Sequence, residues 1–369
     1  MRLILSDEQK ELAGSVRGFL AGTSPMARVR VIAESGTPYD RVVWERMAGE
    51  LGLTGLAVPE AYGGSGFGQA ELAVVMEELG AALTPSPFFA SAVLAAGALL
   101  RLGDEDAAKE LLPGIASGQV IATLALPDDT TVRAAASGDG TWALHGVAAR
   151  VLHAMDADLI LVAAALDGAA PGELGVFQVA PDAPGLTRTP LTTLDLTTPQ
   201  ARLDLAGTPA RLVGPANAGE ALAHTLDLAS VALAAEQLGG LRRCLDAIVE
   251  YAKLRVQFGR YIGSFQGVKH RLADMHCTLE QAESIVRYAA WTADEAPREL
   301  PVAAALAQSY LGPAYFQVAK DHLLLHGGIG FTWEHDAHLY YKRAKSAELL
   351  LGPPRLHRRL LADRLGLTG

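Results

Sequence analysis

The sequence predicts a mainly helical protein with a small β domain in its middle. Three observations predict it. Apolar residues recur at helical spacing: Leu238, Leu241, Leu245, Ile248 and Ala252 step by three and four, and so do Val268, Leu272, Met275, Leu279, Ala282, Val286 and Ala289. Between about residues 115 and 215 this period gives way to short apolar runs punctuated by Gly, Pro and Asp. Ala and Leu dominate while aromatics are only 6% of 369 residues, which suits helices packed closely on one another.

Taken in order, Ser6-Asp7-Glu8-Gln9 fits a capping box that starts a first helix. A second stretch, Arg41 to Leu51, should end at Gly52. Val58-Pro59-Glu60-Ala61-Tyr62-Gly63-Gly64 is a turn-rich connector, and Ala70 to Leu83 and Phe88 to Leu102 read as further helices. Residues 1–114 are therefore expected to form a helical domain.

Val120 to Leu126 is an apolar run ended by Pro127-Asp128-Asp129, and Gly138-Asp139-Gly140 is a hairpin signal before Trp142-Ala143-Leu144. Leu159 to Val162, Val176 to Val179 and the alternating Arg202 to Leu205 complete an expected β domain over 115–215. The helical period returns near Glu220. With Val302 to Leu325, which Pro313 should disturb, and Ala337 to Leu350, it predicts a four-helix bundle over 216–369.

The formal net charge is −10, which argues against nucleic acid or an anionic membrane surface as a partner. Half the residues are hydrophobic, enough for a large core without staples. Cys244 and Cys277 both fall in helical patterns and read as small buried residues, so neither a disulfide nor a metal site is expected. No signal peptide or membrane-length apolar run is visible, and a cytoplasmic protein is expected.

The richest segment is Arg255-Val256-Gln257-Phe258-Gly259, followed by Gly263-Ser264-Phe265-Gln266 and, much later, by His326-Gly327-Gly328-Ile329-Gly330-Phe331. Arg255 closes a long helix. Its guanidinium could grip a pyrophosphate bidentately, or simply be a solvated charge on the helix dipole. Phe258-Gly259 allows a turn with an apolar anchor, and Gln266 adds an amide that donates and accepts. Gly327-Gly328 lets backbone approach a ligand, although a glycine pair after a helix is more often a C-cap.

Together these elements, and the order helices, β domain, bundle, resemble the acyl-CoA dehydrogenase family of FAD flavoproteins across essentially the whole chain. The resemblance implies that FAD lies at a subunit interface. It implies that Arg255, Gln257, Phe258, Gln266, Gly327 and Gly328 touch its ADP half, largely on a neighbouring subunit. The reaction implied is α,β-desaturation of an acyl-CoA thioester. A Glu base takes the α proton and a hydride passes from the β carbon to the flavin.

The chain departs from the family where that chemistry happens. The two positions at which members carry the base are Leu351 and Ala229. Glu236, two turns beyond Ala229 on the same face, is the candidate for a displaced base, although its rise of about 10 Å demands a different substrate pose. Glu348, one turn before Leu351, is another. The family's Thr-Glu-Pro loop appears as Ala125-Leu126-Pro127, its Trp-Ile-Thr strand as Arg150-Val151-Leu152, and the Thr after the catalytic Glu-Gly as Pro353. Leu324 replaces a Gln before the glycine pair.

The half donated to a neighbour is mostly kept and the reacting half is not. The leading expectation is therefore a supporting subunit of a heteromeric, α₂β₂ acyl-CoA dehydrogenase of lipid metabolism. It would contact the FAD of a catalytic paralogue, resembling bacterial members that act on bulky thioesters such as steroid side chains. Electron-transferring flavoprotein is the acceptor the family usually uses. The alternatives are a self-sufficient homomeric dehydrogenase with a relocated base, and a flavin-free scaffold or binding protein on the same fold.

Overall fold

A computed structural model describes residues 3–127, 131–137, 141–168 and 173–367. The signals at Asp128-Asp129 and Gly138-Asp139-Gly140 lie outside the described residues. The remainder is helical at both ends with a sheet between. Helices α1 (Asp7–Thr23), α2 (Met26–Ser35), α3 (Arg41–Leu51), α4 (Gln69–Ala82), α5 (Ala96–Arg101) and α6 (Glu105–Ala116) come first. Strands β1 (Ala122–Ala125), β2 (Arg133–Ala136), β3 (Trp142–Leu152), β4 (Leu159–Leu166), β5 (Leu174–Val179), β6 (Leu186–Pro190) and β7 (Gln200–Val213) follow. The C-terminal helices are α7 (Gly219–Leu254), α8 (Gln266–Glu295), α9 (Leu300–Leu325), α10 (Ala337–Leu349) and α11 (Pro354–Arg364).

The chain forms two compact units, and the helices before residue 115 divide between them. One unit comprises residues 31–68 and 85–229, and the other comprises 1–30, 69–84 and 230–369. In the first, β4 pairs β5 along one edge and β1, then β2, along the other. Pairings β2–β3, β3–β7 and β7–β5 close the ring, with β6 added on β7. Leu144, Phe177 and Leu203 are fully buried in its core. The Ser91 hydroxyl accepts from the Ala122 N–H at 3.0 Å and ties a π-helical turn, Phe89–Ala95, to β1. The expected helix over Phe88 to Leu102 is thus widened in its first half.

The second unit is the bundle with α1 and α4 laid against it. The capping box at the start of α1 forms as the sequence implies, Gln9 N–H to Ser6 Oγ at 3.2 Å and Ser6 N–H to Gln9 Oε1 at 3.0 Å. Two glycines set the α4–α7 crossing. A Cβ on Gly80 would lie 2.0 Å from the Glu236 carbonyl oxygen, and one on Gly239 would lie 1.8 Å from that of Glu77, so the two backbones touch. Glu77, buried beside this crossing, is neutralised by Arg287 at 2.6 Å and Arg242 at 3.0 Å. The Asp294 carboxylate caps α4, accepting from the Gln69 and Ala70 N–H groups at 2.8 Å each.

Two expectations fail here. Pro313 does not interrupt α9, which runs unbroken from Leu300 to Leu325. Packing of α9 against α8, α10 and α11 outweighs the roughly 3 kcal/mol that an internal proline costs. Cys277 is exposed rather than buried, because it falls on the outer face of α8, while Cys244 is fully buried. No described helix is long and apolar enough to cross a membrane.

Candidate functional site

The segment from Arg255 to Gln266 forms a small, solvent-facing structure at the end of the bundle. α7 ends at Leu254, and the Arg255 N–H still donates to the Tyr251 carbonyl at 2.8 Å. The chain then turns as a two-residue hairpin, β8 (Val256–Gln257) against β9 (Arg260–Tyr261). Phe258 and Gly259 both have positive φ, 52° and 74°, the backbone of a type I′ turn. The Ile262 N–H returns to the Arg255 carbonyl at 2.8 Å and closes the loop. Gln266 is the first residue of α8.

Arg255, Gln257, Phe258 and Gln266 are all exposed. Among the described residues no carboxylate pairs with Arg255. Phe258 anchors nothing within its own chain, contrary to expectation. It is 92% exposed and meets only the edge of the Phe265 ring, at 6.3 Å between centroids. The Arg260 guanidinium lies over the Phe265 ring, 4.0 Å from its centroid.

The glycine loop that follows α9 is tied to this hairpin through Tyr251. The Tyr251 ring lies 4.4 Å from that of His326, and its hydroxyl donates to the His326 carbonyl at 3.4 Å. Gly327 has φ 66°, which favours glycine, and a Cβ at Gly327 or Gly328 would meet nothing within 4 Å. Their own chain therefore leaves the space above them open. Around these residues Leu254, Tyr261, Phe331 and Trp333 are exposed too, Leu254 by 75% and Trp333 by 74%. Exposed apolar residues in such number are uncommon on a surface that faces only water.

The positions expected to carry chemistry look different. Leu351 is half-buried in the turn between α10 and α11, and Pro353 caps α11. Ala229 is fully buried in α7. Glu236 is buried and ion-paired with Arg343 of α10, and Glu348 is paired with Lys345 at 2.5 Å. Both candidate bases are thus held by cations, and neither is an unclaimed carboxylate. In the sheet unit Leu152 is buried at the end of β3, and its carbonyl takes the buried Thr123 hydroxyl at 2.6 Å. The side chains of Leu126, Pro127 and Leu152 give a flavin ring no hydrogen-bonding group.

Sequence reasoning missed Tyr251, His322, His335 and Arg343. Tyr251 lies one turn before Arg255, and His322 one turn before His326, so the i,i+4 spacing was a readable signal. Arg343 carries no local cue, because its partner is 107 residues away.

Comparison with known proteins shows the family. Residues 6–119 match the family model for the acyl-CoA dehydrogenase N-terminal domain, and residues 217–366 match that for its C-terminal domain. An acyl-CoA dehydrogenase of Mycobacterium tuberculosis, IpdE2, is 36% identical over 97% of each chain. Among solved structures, a chain of the ChsE4–ChsE5 complex from Mycobacterium tuberculosis superposes with TM-score 0.91, at 32% identity and full coverage of both chains. A chain of the Tcur3481–Tcur3483 steroid acyl-CoA dehydrogenase does so with TM-score 0.86, at 33% identity over 98% of each. The chain belongs to the acyl-CoA dehydrogenase family of FAD flavoproteins. Its residues fit that cofactor unevenly. An unpaired, exposed Arg255 and an uncrowded glycine loop suit a pyrophosphate, whereas Leu126, Pro127 and Leu152 do not suit the flavin ring.

Proposed function

We propose that this chain is the supporting subunit of a heteromeric acyl-CoA dehydrogenase. It presents Arg255, Gln257, Phe258, Gln266 and the Gly327-Gly328 loop to the ADP half of FAD, and a catalytic paralogue holds the flavin ring and supplies the base. The observation that carries this reading is the contrast within one chain. Every expected grip residue faces solvent on an apolar-rimmed end, while both base positions are aliphatic and both nearby glutamates are ion-paired.

Bound FAD would accept the hydride lost from the β carbon of an acyl-CoA thioester. This chain's own part is to bind and orient. The Arg255 guanidinium neutralises pyrophosphate charge, Gln266 adds an amide at the α8 N-terminus, and the glycine loop lets backbone come close. Phe258 and its apolar neighbours exclude water from the contact. Similarity to a steroid acyl-CoA dehydrogenase complex supports a bulky acyl group on the substrate, and electron-transferring flavoprotein is the acceptor we propose.

The test is to purify the chain alone and together with a paralogue that carries the Glu base. The expected result is a colourless chain and a yellow, active complex. A chain that alone holds stoichiometric FAD and reduces it with acyl-CoA would favour a self-sufficient enzyme. A complex whose FAD content is untouched by Arg255→Ala would favour a scaffold.

A further inference from the structure

Directly beneath the glycine loop lies a cluster of three imidazoles that the proposed function does not use. His322 and His326 project from the last turn of α9, and His335 from the segment leading to α10. The rings of His326 and His335 are 4.2 Å apart, those of His322 and His326 4.7 Å, and those of His322 and His335 6.2 Å. His322 is 2% exposed, and among the described residues neither of its ring nitrogens has a hydrogen-bond partner. His326 Nδ1 lies 2.8 Å from the His322 carbonyl and must donate to it, so its neutral form carries that proton. His335 Nδ1 accepts from the Ala337 N–H at 3.1 Å, so its proton sits on Nε2. The His335 contact requires an uncharged ring, because an imidazolium has no acceptor nitrogen, whereas the His326 bond is open to either charge state.

Resting on the supporting-subunit reading, we propose that Tyr251, His322, His326 and His335 are positioning residues. They set the Gly327-Gly328 loop, and the loop's hold on FAD lasts only while the three imidazoles stay neutral. The loop starts at His326, whose ring is sandwiched between Tyr251 and His335 and whose carbonyl takes the Tyr251 hydroxyl. What moves His326 moves Gly327.

Burial favours the neutral state of the cluster, against two opposing contributions: the His322 carbonyl at His326 Nδ1 and the Asp336 carboxylate near His335 both favour a charged ring. Burial lowers the affinity of all three rings for a proton, most at His322, where it falls to about 3 with help from His326, His335 and Arg243 of α7. Tyr340 of α10 meets His322 edge-on at 6.2 Å and brings no charge. The two nearest acids are occupied. Asp336 pairs with Arg30 of α2 at 2.7 Å, and Asp321 with Arg271 of α8 at 3.4 Å. The carboxylate that acts on His335, Asp336, already faces Arg30, and a proton on His335 Nδ1 would displace the Ala337 N–H, so protonation there is taken up by opening the cluster. Because the folded rings bind protons less readily than free histidine, the loop's order is fully present above about pH 6.5 and is lost as pH falls below it.

The experiment uses the intact complex with its catalytic paralogue and reads FAD affinity between about pH 8 and about pH 5. Affinity should fall on acidification by up to about tenfold per pH unit for each linked proton. The double substitution His326→Phe with His335→Asn keeps an aromatic ring against Tyr251 and a side-chain acceptor for Ala337, but titrates at neither place. It should flatten that pH dependence, and Tyr251→Ala should weaken FAD already at pH 8. The single substitutions, each checked by its melting curve at pH 8, provide the same reading if the double variant does not fold. A slope that is absent in the native complex, or unchanged in the variants, overturns the inference. Loss of FAD in Arg255→Ala with unchanged slopes overturns this inference alone, whereas retention of FAD in Arg255→Ala removes the reading beneath it.

Discussion

Two turns in the bundle unit start from similar ingredients and end differently. After α9, Gly327 takes a left-handed backbone and nothing of its own chain lies within 4 Å of where a side chain would start. After α10, Gly352 also has positive φ, 105°, but a Cβ there would meet Leu356 Cδ2 at 2.6 Å, with His357 Nε2 at 3.7 Å. The first turn is open and rimmed by exposed aromatics. The second is folded down on α11, and holds Leu351, one of the two positions expected to carry the base. On the proposed reading, glycine in the first serves a visitor, and glycine in the second serves the chain itself. A subunit that assists and a subunit that reacts would need opposite treatments of these two turns.

The largest expected effect concerns the closed, non-reacting side. Replacing Glu236 by Ala removes the buried carboxylate that Arg343 faces and should destabilise the chain by about 3–5 kcal/mol in urea unfolding. If Glu236 were instead a base, Glu236→Gln would abolish turnover in the complex with little change in stability. Next comes the open turn. Arg255→Ala should weaken FAD in the complex by about 1.5–3 kcal/mol, the worth of hydrogen bonds to a charged group, while the chain's own unfolding is unchanged.

The glycines separate the two turns by smaller margins. Gly352→Ala should cost about 1–3 kcal/mol of fold stability, and Gly327→Ala about 1 kcal/mol. Gly328→Ala should leave the isolated chain within about 0.5 kcal/mol and yet lower FAD retention in the complex. Equal effects of Gly328→Ala and Gly352→Ala on the isolated chain would erase the contrast. Acid should act on both turns in the same direction. Burial lowers the proton affinity of His357 as it does that of His326, so each turn is most stable above about pH 6.5 and loosens as pH falls. Amide exchange of residues 326–331 and 351–357 checks this. The smallest effect is expected of Leu351→Glu, which should give the isolated chain no measurable dehydrogenase activity, because Leu152 and Pro353 remain.

Much of this was legible in the sequence. Ser6 and Gln9 meet as written because a capping box is local chemistry. The helical stripes on α7 and α8 are buried at Leu238, Leu241, Met275 and Val286 because periodicity reports a face directly. The hairpin at Phe258-Gly259 was foreseeable as a turn, but its side chain's direction was not. A hydrophobic residue reads as an anchor until the structure leaves it 92% exposed. Pro313 reads as a break because propensity is local, whereas the packing that overrides it comes from α8, α10 and α11. The pairing of Glu236 with Arg343 was invisible for the same reason, since nothing near position 236 announces a cation on α10.

The exposed rim of Leu254, Phe258, Phe331 and Trp333 bears on how the cell must make this protein. A polypeptide that folds with such a rim uncovered is sticky until it is met. In the heteromer proposed above, unequal synthesis of the two chains would leave orphans prone to self-association and degradation. For such a pair, these four apolar side chains would favour matched production as directly as any need for balanced catalysis.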